Sequence, residues 1–103
     1  MYARVSTWRG SDEQIERGLA IYREDLLPWL RDATGFRGSA ILHDRETERA
    51  LGITFWDTRE AAADPDSSGL TLREEIGAAV GALLEGNDIY EVALTEQIGL
   101  EEE

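Results

Sequence analysis

An extended chain turns successive side chains to opposite faces, and the run Ala50-Leu51-Gly52-Ile53-Thr54-Phe55-Trp56 carries bulk on both of them. Leu51, Ile53 and Phe55 share one parity, while Ala50, Thr54 and Trp56 share the other. A strand of this kind needs a sheet that is covered on both sides. With 103 residues the chain has room for one domain and one modest core. What covers the two faces therefore depends on how many helices the remaining residues supply.

Residues 2–8 form a β-branched and aromatic run closed by Arg9-Gly10, and read as a first strand. Ser11 or Asp12 offers a side-chain oxygen to the unpaired N–H groups of a helix start, and Asp12 and Glu13 suit the positive end of its dipole. The helix that follows carries Ile15, Leu19, Tyr22, Leu26 and Leu30 on one stripe, with Glu16, Arg23 and Asp25 toward water. Pro28 lacks an N–H and crowds the carbonyl four residues earlier. That predicts a kink or a restarted last turn, bringing Pro28, Trp29 and Leu30 down onto the sheet. Gly35 ends the helix in the left-handed conformation, and residues 36–43 form a second strand. Asp44-Arg45-Glu46-Thr47-Glu48 is a polar turn in which Asp44 bonds its own backbone, and residues 49–57 return as the third strand. Thr58-Arg59-Glu60 opens a short helical turn, and residues 64–69 have linker composition but are too few to separate domains. A second main helix has Leu72, Ile76, Val80 and Leu83 on its buried side and is weakened by Gly77, Gly81 and Gly86. Asn87-Asp88 then turns the chain into a last strand over residues 89–98, and residues 99–103 form an acidic tail.

Strand, helix, hairpin, helix, strand is the split βαβ order of a ferredoxin-like α+β fold with an antiparallel four-stranded sheet, here spanning residues 1–98. Two main helices cover one face of that sheet. In the last strand Tyr90, Val92, Leu94 and Ile98 share one parity while Ile89 and Ala93 hold the other, so the second face also needs a cover. An identical sheet related by a two-fold axis supplies one, which makes a homodimer the economical expectation. The second strand fits less well, since Arg37, Ser39 and His43 make one of its parities largely polar. A heteromeric partner or a solvated face is the alternative.

Charge narrows the partners. The chain has 22 acidic residues against 10 basic ones, for a formal net charge of −12. All the cations are arginine, scattered singly from Arg4 to Arg73. A phosphate backbone needs a basic stripe and an anionic membrane attracts basic segments, so neither nucleic acid nor a membrane is an expected partner. The absence of cysteine removes disulfides, thiolate nucleophiles and cysteine metal sites together. The N-terminal residues lack a signal-peptide layout, and no apolar run approaches the ~18 residues of a membrane span, so a cytoplasmic location is expected.

The segment Gly35-Phe36-Arg37-Gly38, the turn Asp44-Arg45-Glu46-Thr47 and the run Ile53-Thr54-Phe55-Trp56-Asp57-Thr58-Arg59-Glu60-Ala61 together resemble the antibiotic biosynthesis monooxygenase family of the dimeric α+β barrel superfamily. The match in residues lies within about positions 34 to 62. Thr34 stands where many members have proline, and Glu48 where a hairpin glycine is common. The resemblance implies a ferredoxin-like monomer, a homodimer closing a barrel between two sheets, and a pocket between sheet and helices in each monomer. Some members oxygenate aromatic polyketides without metal or flavin, and others degrade haem. The haem-degrading branch uses a tryptophan at the end of the third strand, an asparagine on the first strand and a histidine on the second helix. Trp56 matches the first, but the first strand offers Ser6 and Thr7, and residues 70–84 contain no histidine, which disfavours haem.

Few residues point to chemistry by themselves. His43 is the only histidine, a general base if it faces a pocket and otherwise a satisfied surface or interface residue; Arg37 is a second candidate for polarising a substrate. No helix-spaced metal-ligand set is present, and neither a metal nor a cofactor is expected. Trp56, Tyr90, Tyr22, Trp29 and Trp8 are the candidates to hold a planar aromatic ligand, weighed against the simpler role of core and dimer contacts. Two functions follow: a cofactor-independent monooxygenase on an aromatic or quinol-like molecule, or a non-catalytic dimeric module that binds a small ligand or only assembles.

Overall fold

The structure, a computed structural model, describes residues 1–64 and 70–96. Strands β1 (Tyr2–Arg9), β2 (Phe36–Asp44), β3 (Arg49–Trp56) and β4 (Leu83–Glu91) pair antiparallel in the order β2-β3-β1-β4. This is the ferredoxin-like arrangement. The two middle strands, β1 and β3, hold the buried positions of the sheet, as expected where a strand has neighbours on both edges.

Helix α1 (Asp12–Ile21) starts on a full capping box, in which Ser11 Oγ accepts from the Gln14 N–H and Gln14 Oε1 accepts from the Ser11 N–H. The expected disturbance at Pro28 takes the form of a π-helical turn, Tyr22–Leu26, followed by a restarted helix α2 (Leu27–Arg31) with the proline in its first turn. The wider turn accommodates a residue that cannot donate to the ladder. Leu26 and Leu30 are fully buried, but Trp29 is 41% exposed and does not reach the sheet as expected, because consecutive helical residues point about a quarter-turn apart and Leu30 takes the inward position. Gly35 has the expected left-handed conformation, φ +85, but the helix ends earlier, at Arg31, and Gly35 closes the turn that leads into β2.

The hairpin keeps its expected turn. Asp44 Oδ1 accepts from the N–H groups of Glu46 and Thr47 at 3.0 and 3.4 Å. Glu48 adopts a left-handed φ of 57, the conformation that a glycine takes most readily. Thr58 caps the short helix α3 (Arg59–Ala63) by accepting from the Ala61 N–H.

The C-terminal third departs from the sequence reading. Helix α4 (Leu70–Val80) stops at Gly81, φ +83, where the N–H groups of Gly81 and Ala82 both bond the Gly77 carbonyl. The chain re-enters the sheet at once, so Leu83 lies in β4 at 59% exposure and not on a buried helix face. Asn87 and Asp88, read as a turn, lie inside β4 opposite Ser6 and Val5. The strand ends at Glu91, so the parity expected through Leu94 does not hold, and Ile98 lies outside the described residues. Leu83-Leu84-Glu85-Gly86-Asn87-Asp88 is poor in strand-forming residues. Pairing along the whole of β1, with a register shift between Thr7 and Trp8 that absorbs the irregularity, overrides that preference.

The helices of the described residues lie on one face. Register places Tyr2, Arg4, Ser6 and Trp8 of β1 there, beside Trp56, Thr54, Gly52 and Ala50 of β3. The core, Leu26, Leu30, Trp56, Ala62 and Ile76, fills the end of the sheet at which Trp56 sits. Trp56 is fully buried and meets Phe36 edge-on with ring centroids 5.4 Å apart. In β2 a register shift between Phe36 and Gly38 moves Ser39, Ile41 and His43 to the helix side, leaving Ala40 and Leu42 on the other. The polar parity expected to decorate the open face is therefore not there. The middle of the open face is apolar, with Val5, Ile53 and Phe55 half-buried and Leu42 and Tyr90 exposed toward its edges, while Asp88 lies beside Val5 and Thr7, Arg9 and Arg49 make the hairpin end of the face polar.

Candidate functional site

Beside the packed core, with which it shares Leu26 and Ile76, the sheet and helices leave a cavity of about 70 Å³ beneath α1 and α4. Its walls are Trp8, Ile15, Leu19, Ile41, Ile76 and Val80, with Gly52 and Ala50 in the floor. Small residues on β3 keep the floor low where larger ones would fill it. Tyr22, Arg73 and Gln14 are the polar side chains in the lining. A broader hollow of about 410 Å³ lies on the opposite side, by the hairpin, lined by Thr7, Leu42, Thr47, Arg49 and Leu51 among others. The smaller cavity is the one whose apolar walls converge on a few polar groups, which makes it the better candidate site.

Arg73 is 5% exposed, and burial pushes its guanidinium down to about 10, with the neighbouring Tyr22 working against that shift and the like charge of Arg4 adding to it. It still carries its charge at neutral pH. One nitrogen, Nη2, lies 3.4 Å from Thr54 Oγ1, which also accepts from Trp56 Nε1 at 2.8 Å. The Tyr22 hydroxyl lies beside the same guanidinium without a hydrogen bond of normal geometry. Deeper in, Arg4 donates from Nε to Asn87 Oδ1 at 2.8 Å and from Nη1 to the Ala62 carbonyl. Burial lowers its pKa as well. Ser6, 1% exposed, has a hydroxyl with no hydrogen-bond partner among the described residues. A buried positive charge beside the Tyr22 hydroxyl suits an anionic or acidic oxygen at the end of a largely apolar slot.

Of the aromatic residues singled out from sequence, Trp8 and Tyr22 line the cavity. Trp56 does not; it closes the core at the other end of the sheet. Tyr90 is 56% exposed on the open face, and Trp29 is exposed on α2. The two candidate catalytic residues stand outside this cavity, although His43 lines the broader hollow by the hairpin. Arg37 is exposed and pairs with Asp57 at 3.4 Å. His43 directs Nε2 toward Asp12 Oδ1 at 3.5 Å, at the start of α1, and Arg45 joins Asp12 and Glu16 at 3.8 and 3.0 Å in the same surface cluster.

Arg73 was not singled out from sequence, yet it had a signal. It lies three residues before Ile76 and seven before Val80, on the stripe that packs inward. Arginine on an apolar stripe is rare unless something inside receives it.

No family model matches the chain. An uncharacterised protein of Mycobacterium tuberculosis strain H37Rv is 34% identical over 61 residues, which are 59% of this chain and 27% of that protein. The match thus spans about a quarter of the length of that relative. Among solved structures, a candidate antibiotic biosynthesis monooxygenase from Bordetella bronchiseptica superposes with a TM-score of 0.69 at 13% identity, over 91% of this chain and 97% of the other. The ActVA-Orf6 monooxygenase of Streptomyces coelicolor, solved with the ligand nanaomycin D, gives 0.68 at 15% identity over 97% and 92%. The cofactor-independent oxygenase SnoaB of Streptomyces nogalater gives 0.62 at 17% over 91% and 94%. Among the described residues no helix is long and apolar enough to cross a membrane. The chain has the ferredoxin-like α+β fold of the antibiotic biosynthesis monooxygenases.

Proposed function

We propose that the protein is an antibiotic biosynthesis monooxygenase-like enzyme that oxygenates a small phenolic or quinol-like aromatic molecule without a cofactor, in the cavity beneath α1 and α4. The single observation that carries this reading is the buried Arg73 guanidinium at the edge of an otherwise apolar slot. Trp8 offers an aromatic wall, Tyr22 a hydroxyl and Arg73 a fixed positive charge. The likeness of fold to a cofactor-independent oxygenase supports it.

The chemistry needs a substrate that ionises readily, because among the described residues the cavity lining contains no carboxylate and no imidazole. Arg73 favours the ionised form by stabilising its oxyanion in a site shielded from water. For an anthrone-type ring, the methylene carbon gives up one proton to solvent and the resulting anion reduces dioxygen. A carbon–oxygen bond forms, and a proton from solvent completes the hydroperoxide. Loss of water then breaks the O–O bond and leaves a carbonyl, so that methylene and O2 become carbonyl and H2O with no other reductant. His43 and Arg37 have no part in this scheme.

The lack of a base in the lining favours a second reading, a module that binds such a molecule without transforming it. Oxygen uptake separates the two. The enzyme consumes one O2 per anthrone oxidised, and Arg73→Gln lowers kcat about 100-fold. Binding without uptake above the uncatalysed rate selects the module; neither binding nor uptake sinks both.

The open sheet face completes the proposal: a second copy of the chain covers Val5, Ile53 and Phe55 across a two-fold axis. An apolar strand pair at the centre of a sheet is poorly suited to water.

A further inference from the structure

We propose that the cavity beneath α1 and α4 is a binding site for a short aliphatic carboxylate, acetate- or propionate-sized, with its oxygens on Arg73 and Tyr22 and its alkyl end among the apolar walls. This goes beyond the oxygenation proposed above and does not depend on it. Size is the first constraint. A protein cavity of roughly 150 Å³ takes benzene. At about 70 Å³ this one has less than half that space, which suits a group no larger than a short acid. A ring system needs the walls to part, whereas acetate or propionate fits them as they stand.

The lining then selects an anion. Ile15, Leu19, Ile41, Ile76 and Val80 offer only hydrocarbon. Of the three polar side chains, Gln14 is engaged at both ends: Oε1 accepts from the Ser11 N–H at 2.9 Å and Nε2 donates to the Gly81 carbonyl at 3.2 Å. That leaves Arg73 and Tyr22. Arg73 is 5% exposed, carries its charge at neutral pH and can only donate. The buried Tyr22 oxygen can accept from that guanidinium, but its own proton meets no acceptor among the described residues. A guanidinium N–H beside a phenol O–H presents two donors, and the matching partner is a group that only accepts, through two oxygens. Arg4 adds to the positive potential felt at Arg73. It is itself buried, and its partners among the described residues, Asn87 Oδ1 and the Ala62 carbonyl, are neutral. The chain as a whole repels anions, with a formal net charge of −12, so capture of one is a property of these few side chains.

The test is an NMR titration of the wild type, Arg73→Gln and Tyr22→Phe with sodium propionate at low ionic strength, following the indole N–H of Trp8 in the cavity wall. Propionate is expected to shift that signal in the wild type with a dissociation constant on the order of 1 mM. Propionamide has the same shape but no charge and a donor to satisfy; benzoate has the charge but exceeds the space. Each is expected to bind about tenfold more weakly than propionate. Arg73→Gln is expected to weaken propionate about 30-fold and Tyr22→Phe about tenfold. Tyr22→Phe keeps the ring, so it tests the site even if Arg73→Gln fails to fold. A wild-type Trp8 signal that ignores propionate, equal affinity for propionamide, or unchanged affinity in Tyr22→Phe overturns the inference. Benzoate binding as tightly as propionate also overturns it, and favours the aromatic reading instead. Oxygen uptake with anthrone is measured apart from these titrations and alone decides the oxygenase reading.

Discussion

On the helix-covered side of the sheet, Arg4, Ser6 and Thr54 are buried, and Arg73 comes down from α4 to join them. On the other side, register brings together Val5, Ala40, Leu51, Ile53 and Phe55, none of which has a polar side-chain atom. Both faces are made by the same strands, so the contrast is one of parity. A buried polar group is costly unless its partners are in place, and of these four Arg73 is the one that also lines the cavity. An apolar patch of this kind is costly in water but simple to cover, and a self-complementary sheet does so while Asp88 and Thr7 at its margins keep access to solvent or to each other's copies. On the function proposed above, the covered face serves chemistry and the open one assembly.

The largest expected effect lies on the open face. Phe55→Asp places a carboxylate at its centre, where a second copy of the chain would have to bury it unpaired. Sedimentation of the wild type is expected at twice the chain mass and of Phe55→Asp at the chain mass; a wild type already monomeric at micromolar concentration breaks the comparison. A matched pair of isosteric substitutions sharpens it. Thr54→Val removes the hydroxyl that accepts from Trp56 Nε1 and lies near Arg73, leaving a fully buried indole N–H unpaired, at a cost of about 1–3 kcal/mol in denaturant unfolding. Thr7→Val, on the open parity of β1, is expected within about 0.5 kcal/mol of the wild type. Equal losses at the two positions would erase the distinction between the faces.

Much of this contrast was legible in the sequence. The two parities of β3 are written in Leu51, Ile53 and Phe55 against Ala50, Thr54 and Trp56, and the stripe through Ile15, Leu26 and Leu30 marks the helix that covers the second set. Alternation alone, however, does not reveal a register shift. One extra residue between Phe36 and Gly38 exchanged the faces of β2, so that Ser39 and His43, expected on the open side, point under the helices. The start of β4 was hidden for a different reason: Gly86, Asn87 and Asp88 carry turn preferences that only pairing with β1 overrules. At the site, Trp8 and Tyr22 were found from their aromatic character, while Trp56 and Tyr90 share that character and lie elsewhere. Which ring faces a cavity depends on where small residues such as Ala50 and Gly52 leave room, a property of packing across three elements.

The smallest effect concerns the hairpin that keeps the two faces apart. Register between β2 and β3 decides which side chains enter the core, and a slip of one residue would exchange the apolar face for the polar one. Asp44 helps to hold that register. Hydrogen bonds from the side chain and N–H of Thr47, and from the N–H of Glu46, hold its carboxyl below the usual carboxylate range. A group whose pKa is lower in the folded chain adds stability above its unfolded value, and that increment disappears as pH falls through the folded value. Asp44→Asn keeps an acceptor oxygen but carries no charge. The Tm difference between wild type and variant is therefore expected to favour the wild type at pH 7, to hold until pH approaches the ordinary value of 3.8, and to shrink below it. The other carboxylates titrate in both proteins, so the difference isolates Asp44. A difference that grows in acid would reverse the sign and remove the turn from the account of how the sheet keeps its two faces.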